Sequence, residues 1–558
     1  MFALSPGCPA LPVSVLRDER TVMSWPVANS HCDRRKALPC PLLQRMDKAL
    51  QHLGSCVCIL DAILSLPLLE LSARLQEGSL SPRTVLYTYL EKALEVTQQT
   101  NCLRHFIPEC EEQLQEIERR MEKGLLYGIP VSIKDHIGHK GHLATCGLMQ
   151  CLDTVMEEDS VLVKVLKRQG AIPFAMTNVP QSLFSYECSN PIFGQTLHPL
   201  DPRRSPGGSS GGEGALIAGG GSILGMGSDM GGSIRLPSSF CGLCGLKPTC
   251  GCLLLSHAVP CALGPMARDV DSLALCMKAL LCQEMFQLDP SVPPIPFNEE
   301  VYSSSTPLRV GYYDTDSYFP LPPCMRRAVK ETRSALQAAG HQVSTTTPCP
   351  SPQGATLRSL RKGKQLLWCD PILLSSLSTG NIVDPILKPL VNSCKMPRLV
   401  KKLLALLLKP LVSACPSGQE QELPGVTPVY RSQFISQWQE LQLDVVLCPV
   451  LGPAFATGYP RKLLGAISST MLYNVLNFPA GVVPVSSVTE ADEEELKLYK
   501  GCCDDPWDRA LKQVWEMAVS GAVGMPVVVQ CVALPWQEEL CLRFMKEVET
   551  LSRGRRVP

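Results

Sequence analysis

A layered α/β fold is what this sequence predicts, on three observations. Short apolar runs of strand length recur along the chain, segments of helical period alternate with them, and no internal repeat or long linker breaks the alternation. Residues 1–45 carry scattered Pro, Cys and charge and are read as an irregular extension without a spanning helix. From about Gln44 the pattern turns helical, and residues 46–551 are read as one domain. Ser81-Pro82 is a helix start, a capping side chain followed by proline at the first position. Val85, Leu86, Tyr89, Leu90, Ala93 and Leu94 then line one face. Gly128–Lys134 reads as a strand, with Val131 and Ile133 on one side and Ser132 and Lys134 on the other. Val161–Lys167 is a helix stopped by Gly170, and Ala171–Met176 is the next strand. Val445–Leu447, Gly481–Val485 and Val527–Val532 are read as buried strands. Residues 552–558 form a basic tail.

Composition narrows the function. Of 558 residues, 45% are apolar, and Lys+Arg and Asp+Glu both total 52. That excludes a disordered chain, and the absence of a basic excess argues against a nucleic-acid partner. The 27 cysteines are spread along the chain, and Arg17, Asp18, Glu19 and Arg20 interrupt any leader-like apolar run. They are read as buried free thiols in a reducing compartment, and Cys241-x-x-Cys244 lacks the second pair that a zinc site expects. No stretch reaches the ~18 apolar residues of a spanning helix; Val57–Leu71 is short and holds Asp61 and Pro67.

Chemistry concentrates between Gly207 and Gly232, where 12 of 26 residues are glycine. Ala215-Leu216-Ile217-Ala218 and Ile223-Leu224 show that this is a packed segment, whereas a flexible linker is polar throughout. Glycine lets backbone approach other groups closely, which suits a site built from N–H donors. A phosphate cradle is disfavoured, because no G-x-x-x-x-G-K-[ST] occurs. Gly207-Gly208-Ser209-Ser210-Gly211 fits a nucleophile elbow, but only His257 and His341 follow it. His136, His139 and His142 resemble a metal cluster, yet Gly138 and Gly141 break the helix that would align them. A site without metal or cofactor is expected.

A third reading uses both serines and a distant lysine. The run G-G-S-S-G-G-E-G-A-L-I-A, six residues, then G-M-G-S-D-M-G-G-S-I-R-L-P-S, resembles the amidase signature family. Gly-Ile-Pro-Val-Ser-Ile-Lys-Asp at 128–135 resembles the strand that carries the family's lysine. Thr177–Ser182, Cys188–Thr196, Cys244–Thr249, Gly264–Val270 and Ala533–Met545 resemble the mammalian fatty-acid amide hydrolase branch. The resemblance implies a large twisted mixed β-sheet surrounded by helices. It implies Ser233 as nucleophile and Lys134 as a neutral base acting through Ser209, with a cis Gly208–Ser209 peptide. It implies N–H donors from Met230, Gly231, Gly232 and Ser233 for the oxyanion, with Ser209 and Leu183 also at the substrate. Ser210, Asp229 and Arg235 would support the turn, and Phe184, Thr470 and Trp507 would line an acyl channel.

Pro397–Ala414, PRLVKKLLALLLKPLVSA, is basic and apolar and too short to span, and no acidic residue occurs from Asn392 to Pro416. It suits an interfacial anchor, a buried helix or a dimer contact. The resemblance makes the region around 391–415 a membrane-binding cap admitting fatty-acid primary amides and N-acylethanolamines. It also implies a homodimer on endoplasmic reticulum-type membranes, or a cytoplasmic protein should the cap not function. Four departures stand out. No N-terminal spanning helix is read, the loop after Cys250 is shorter, Val412 stands where an aromatic is expected, and Pro348–Asp370 does not resemble the branch. The alternatives are a soluble amidase or esterase of another small substrate and a catalytically impaired lipid-binding relative.

Overall fold

A computed structural model describes residues 57–250, 261–315, 321–346, 382–385, 387–388, 391–392, 423–498 and 506–553. Residues 1–45 and 348–370, most of the 391–415 stretch with Val412, and residues 554–558 of the tail lie outside the described set.

The strands in chain order are β1 (Leu103–Phe106), β2 (Pro130–Lys134), β3 (Ile172–Thr177), β4 (Ser189–Asn190), β5 (Gly194–Gln195), β6 (Leu224–Asp229), β7 (Cys244–Lys247), β8 (Ala262–Ala267), β9 (Arg309–Tyr312), β10 (Gln342–Thr345), β11 (Val445–Cys448), β12 (Ala480–Ser487) and β13 (Pro526–Val532). Eleven of them form one mixed sheet in the order β1-β3-β2-β6-β8-β7-β12-β13-β11-β9-β10, and β4 and β5 pair separately. Helices flank this sheet, so the α/β class and the large mixed sheet expected from the resemblance are both present.

The strands read from the sequence are observed, shifted by a residue or two at their ends. β2, β3 and β11 are buried along their whole length; β3 and β11 accordingly read as apolar runs, while β2 alternates and buries Ser132 and Lys134 as well as Val131 and Ile133. The helix Pro82–Thr100 starts where proline and its cap predicted, with the Thr84 N–H donating to Ser81 Oγ at 3.1 Å. It ends at Asn101, in the left-handed region at φ 56°. The apolar segment 57–71 is divided at Pro67 into helices Val57–Ser65 and Leu68–Glu77. Among the described residues no helix is long and apolar enough to cross a membrane.

One arrangement positions the site. β3, β2 and β6 are mutually parallel, so their C-terminal ends share one edge of the sheet. Lys134 ends β2, its register partner Thr177 ends β3, and Asp229 ends β6. The helix Gly211–Ala218 packs over these three strands. Ligand sites in α/β sheets gather at such strand ends.

Candidate active site

Lys134 is fully buried, and its Nζ lies 2.7 Å from Ser209 Oγ, 2.9 Å from Ser228 Oγ and 3.5 Å from the Ser228 carbonyl. No carboxylate stands within ion-pair distance of it among the described residues. Burial pulls its pKa from the usual lysine range down to about 8, against the opposing fields of Cys261 and Asp229. An amine in this setting can lose its proton near neutrality and accept one from a hydroxyl.

Ser209 is held by the strand-to-helix connection ahead of Gly211–Ala218, and the Gly208–Ser209 peptide is cis. A side chain at Gly208 would meet the Ser185 carbonyl at 2.6 Å, so only glycine fits. Ser210 joins the two serine segments. Its N–H donates to the Ser233 carbonyl at 3.1 Å, and its hydroxyl reaches the Ser228 carbonyl at 3.4 Å. Ser233 is half-buried beside Met230, while Gly231 and Gly232 are buried. Its hydroxyl makes no hydrogen bond to a described residue, so the Lys134–Ser209 arm is assembled and the Ser209–Ser233 link is not made. Catalytic hydrogen bonds are often loose without substrate and tighten in the complex.

The glycine turn is fixed by an ionic knot. Asp229 and Arg235 are both fully buried, with Arg235 Nη2 2.9 Å from Asp229 Oδ1 and Nε 3.0 Å from Oδ2. Asp229 also accepts the N–H of Gly232 at 2.7 Å and of Ile234 at 3.2 Å, together with Asn474 Nδ2 at 2.9 Å. Arg235 donates further to the Thr470 carbonyl, Gln530 Oε1 and Asn474 Oδ1. Burial opposes ionisation of Asp229, but the Arg235 guanidinium and the hydrogen bonds outweigh it and hold the carboxyl far below the usual range.

This geometry alters two expectations. The N–H of Gly232, expected in the oxyanion site, is already committed to Asp229, whereas those of Met230, Gly231 and Ser233 have no acceptor among the described residues. Thr470, expected along an acyl channel, is fully buried, and its hydroxyl donates to the Gly231 carbonyl at 2.7 Å. The peptide plane between Gly231 and Gly232 is thus held at its carbonyl by Thr470 and at its N–H by Asp229.

Leu183 and Phe184 follow Ser182 in a tight turn in which Ser182 and Leu183 have φ near 58° and 59°. Phe184 packs against a small apolar cluster of Leu148, Leu387 and Val391. Trp507 falls in the helix Pro506–Val519, and its side chain is outside the described residues. His139 and His142 meet edge to face, with ring centroids 4.9 Å apart, but among the described residues no group of three His, Cys, Asp or Glu side chains is placed to hold a metal. His142 bonds His105 at 2.7 Å and Glu109 at 2.9 Å, and both ring nitrogens of His136 are buried without a partner among the described residues. The Cys241 and Cys244 thiols go to different partners, the first to the Pro206 carbonyl at 3.3 Å and the second to Glu549 Oε1 at 3.8 Å. The contacts of Ser228, Asn474 and Gln530 were not foreseen. Ser228 sits inside the glycine-rich run, while Asn474 and Gln530 arrive from far along the chain with no local motif.

The model of the family described as Amidase matches residues 84–365 and 411–542. Fatty-acid amide hydrolase 1 of Sus scrofa is 50% identical over 537 residues, 92% of this chain and 91% of that protein. Vitamin D3 hydroxylase-associated protein of Gallus gallus is 58% identical over 360 residues, 62% of this chain and 76% of that protein. Among solved structures, a fatty acid amide hydrolase matches with a TM-score of 0.73 at 24% identity, over 88% of this chain and 86% of that one.

Proposed function

Since this chain belongs to the amidase family and is an amide-hydrolysing enzyme, we propose that it cleaves fatty-acid amides through an acyl-enzyme built by Ser233, Ser209 and Lys134. The observation that carries this reading is the 2.7 Å contact between Ser209 Oγ and a fully buried lysine without a counter-ion.

A serine hydroxyl is a weak nucleophile until a base takes its proton. In this mechanism neutral Lys134 takes the Ser209 proton as Ser209 takes that of Ser233. Ser233 Oγ attacks the amide carbonyl, and the N–H groups of Gly231 and Ser233 receive the oxyanion. Each such donor is typically worth ~2.7–4 kcal/mol in the transition state. The proton then returns from Lys134 through Ser209 to the leaving nitrogen, because an amine anion does not depart unprotonated. Water attacks the acyl-enzyme by the same relay and releases the fatty acid.

Fatty amides are favoured as substrates by the Sus scrofa relative and by fatty acid amide hydrolase 1 of Caenorhabditis elegans, 36% identical over 89% of this chain. The basic apolar stretch 397–414 supports docking on an endoplasmic reticulum-type membrane, and the resemblance carried by the sequence motifs implies a homodimer.

The test is active-site labelling with a fluorophosphonate probe and hydrolysis of oleamide against a short-chain amide. Labelling of the parent, none in Ser233→Ala, and preference for oleamide are expected. Labelling that persists in Ser233→Ala removes the nucleophile assignment, and preference for the short amide removes the lipid substrate.

A further inference from the structure

Glu213 lies in the first turn of helix Gly211–Ala218, four residues after Ser209, and is fully buried. The Ser132 hydroxyl reaches its Oε2 at 2.6 Å, and the Thr177 hydroxyl reaches its Oε1 at 2.9 Å. Ser132 is also 3.0 Å from Ser222, which donates to the Leu224 carbonyl. The packing is close, because a side chain at Gly225 would meet Glu213 Oε2 at 2.1 Å. Among the described residues no cation stands within ion-pair distance of this carboxyl.

Its two hydroxyl partners are neighbours of Lys134 along and across the sheet, and neither hydrogen-bonds it. Ser132 lies two residues before Lys134 on β2, on the same strand face and about 6.6 Å along it. Thr177 is the register partner of Lys134 on β3. A buried base at the end of β2 and a buried acid on the helix packed over β2 and β3, each lacking a counter-ion in contact, therefore face the same strand pair. An isolated buried charge is costly, and transfer of the proton from ammonium to carboxylate removes both charges at once.

We propose that Glu213 and Lys134 share a proton across the face of β2 and β3, so that Glu213 is the positioning residue that sets the pH at which Lys134 becomes a base. This rests on the reading of Lys134 as the base. In the exchange, the Lys134 ammonium gives its proton and the Glu213 carboxylate becomes a carboxylic acid, with total charge unchanged. While Glu213 is ionised, its charge favours the ammonium and withholds the amine; once Glu213 is protonated the amine is released. Burial pushes the Glu213 carboxyl up to about 8, into the range of Lys134. The other groups facing the pair hold one charge state there. Asp229 is ionised on Arg235. Burial pushes the Cys102 and Cys261 thiols up to about 11 and those of Cys146 and Cys188 up to about 12. His136 is pushed far down. Lys247, also pulled down to about 8 by burial, faces Arg235, Asp229 and Glu538 instead.

The experiment is the pH dependence of kcat/KM in full-length Glu213→Gln, with Lys134→Ala beside it. Glutamine keeps the shape and carries no charge; its oxygen accepts one of the two hydroxyls and its amide nitrogen donates to the other. The acidic limb of Glu213→Gln is expected to move down by about one pH unit. Thr177→Val and Ser132→Ala, which remove a donor to the carboxylate, are expected to move it in the same direction by less, and they serve where Glu213→Gln does not fold. An unmoved limb in the folded variants overturns the proposal. Lys134→Ala separates the two readings. Loss of activity there with an unmoved limb in Glu213→Gln sinks only the shared proton, and retained activity in Lys134→Ala sinks the base itself.

Discussion

Two fully buried charged sites lie within one edge of the sheet, and they are built in opposite ways. Asp229 and Arg235 meet in a two-point contact, with Asn474, Gln530, Thr470 and three backbone N–H groups completing the set. Each charge there has a partner, and the carboxyl stays ionised well below the usual range. Lys134 has only hydroxyls and a carbonyl around it, and burial brings its pKa to about 8. The first site is a charge fixed to hold backbone in place; the second is a charge made easy to lose. A buried ion that is fully partnered is scaffold, while one left without its counter-ion is chemistry in waiting.

The largest expected effect comes from removing the second kind. Lys134→Ala is predicted to lower kcat/KM by roughly 10²–10⁴-fold, the range for a positioned general base, and to abolish the acidic limb near pH 8. The sign follows from the direction of the shift. The amine is protonated and inactive below about 8, so the parent rate rises with pH through that value. Lys134→Met sharpens the contrast through stability. A lysine whose folded pKa lies below its unfolded value of about 10.5 weakens the fold wherever the pH is below both. With the side chain fully buried, a pKa held at about 8 corresponds to a cost on the order of 3 kcal/mol. Lys134→Met is therefore expected to melt higher than the parent at pH 7, with the gain fading between pH 8 and about 10.5. An equal or lower melting temperature at pH 7 breaks the comparison.

Asp229→Asn should do the reverse. It leaves the Arg235 guanidinium buried without its counter-charge and is expected to cost about 3–5 kcal/mol in chemical denaturation, with activity lost as the turn loosens. The contribution of Asp229 is present above the ordinary carboxylate range and fades as pH falls toward its depressed folded value, so the parent should approach the variant in acid. A variant as stable as the parent at pH 7 would place Asp229 outside the scaffold.

The same contrast explains what was legible from sequence. Lys134, Ser209 and Ser233 could be singled out because their spacing and glycine context follow one motif, and buried strands such as β11 and β13 announce themselves as apolar runs. β6 was not read as a strand, since Leu-Gly-Met-Gly-Ser-Asp alternates glycine where strands favour branched side chains. Those glycines answer to tertiary packing. A side chain at Gly225 would collide with Glu213 and one at Gly227 with Ser210, both contributed by the chain entering and forming the overlying helix. The partners of Arg235 were equally hidden. Asn474 and Gln530 lie 239 and 295 residues away, and a single amide carries no local periodicity. Local pattern reveals elements and motifs; the contacts that fix a turn across the sheet belong to the fold.

Thr470 is the smallest and most selective test of the scaffold. Its hydroxyl holds one end of the Gly231–Gly232 peptide plane, and Asp229 holds the other. The planes on either side carry the N–H groups of Gly231 and Ser233, which the proposed mechanism aims at the oxyanion. In Thr470→Val the Gly231 carbonyl loses its donor inside the protein, at a cost of about 1–3 kcal/mol. The turn gains freedom, and the oxyanion donors lose alignment. A fall in kcat of roughly tenfold with little change in KM is expected, because misaligned donors weaken the transition state more than ground-state binding. Thr470→Ser, which keeps the hydroxyl and drops the methyl, should restore most of the rate. A residue that only lined an acyl channel would give the opposite pattern. KM would then depend on chain length, and serine would behave like a cavity-forming substitution.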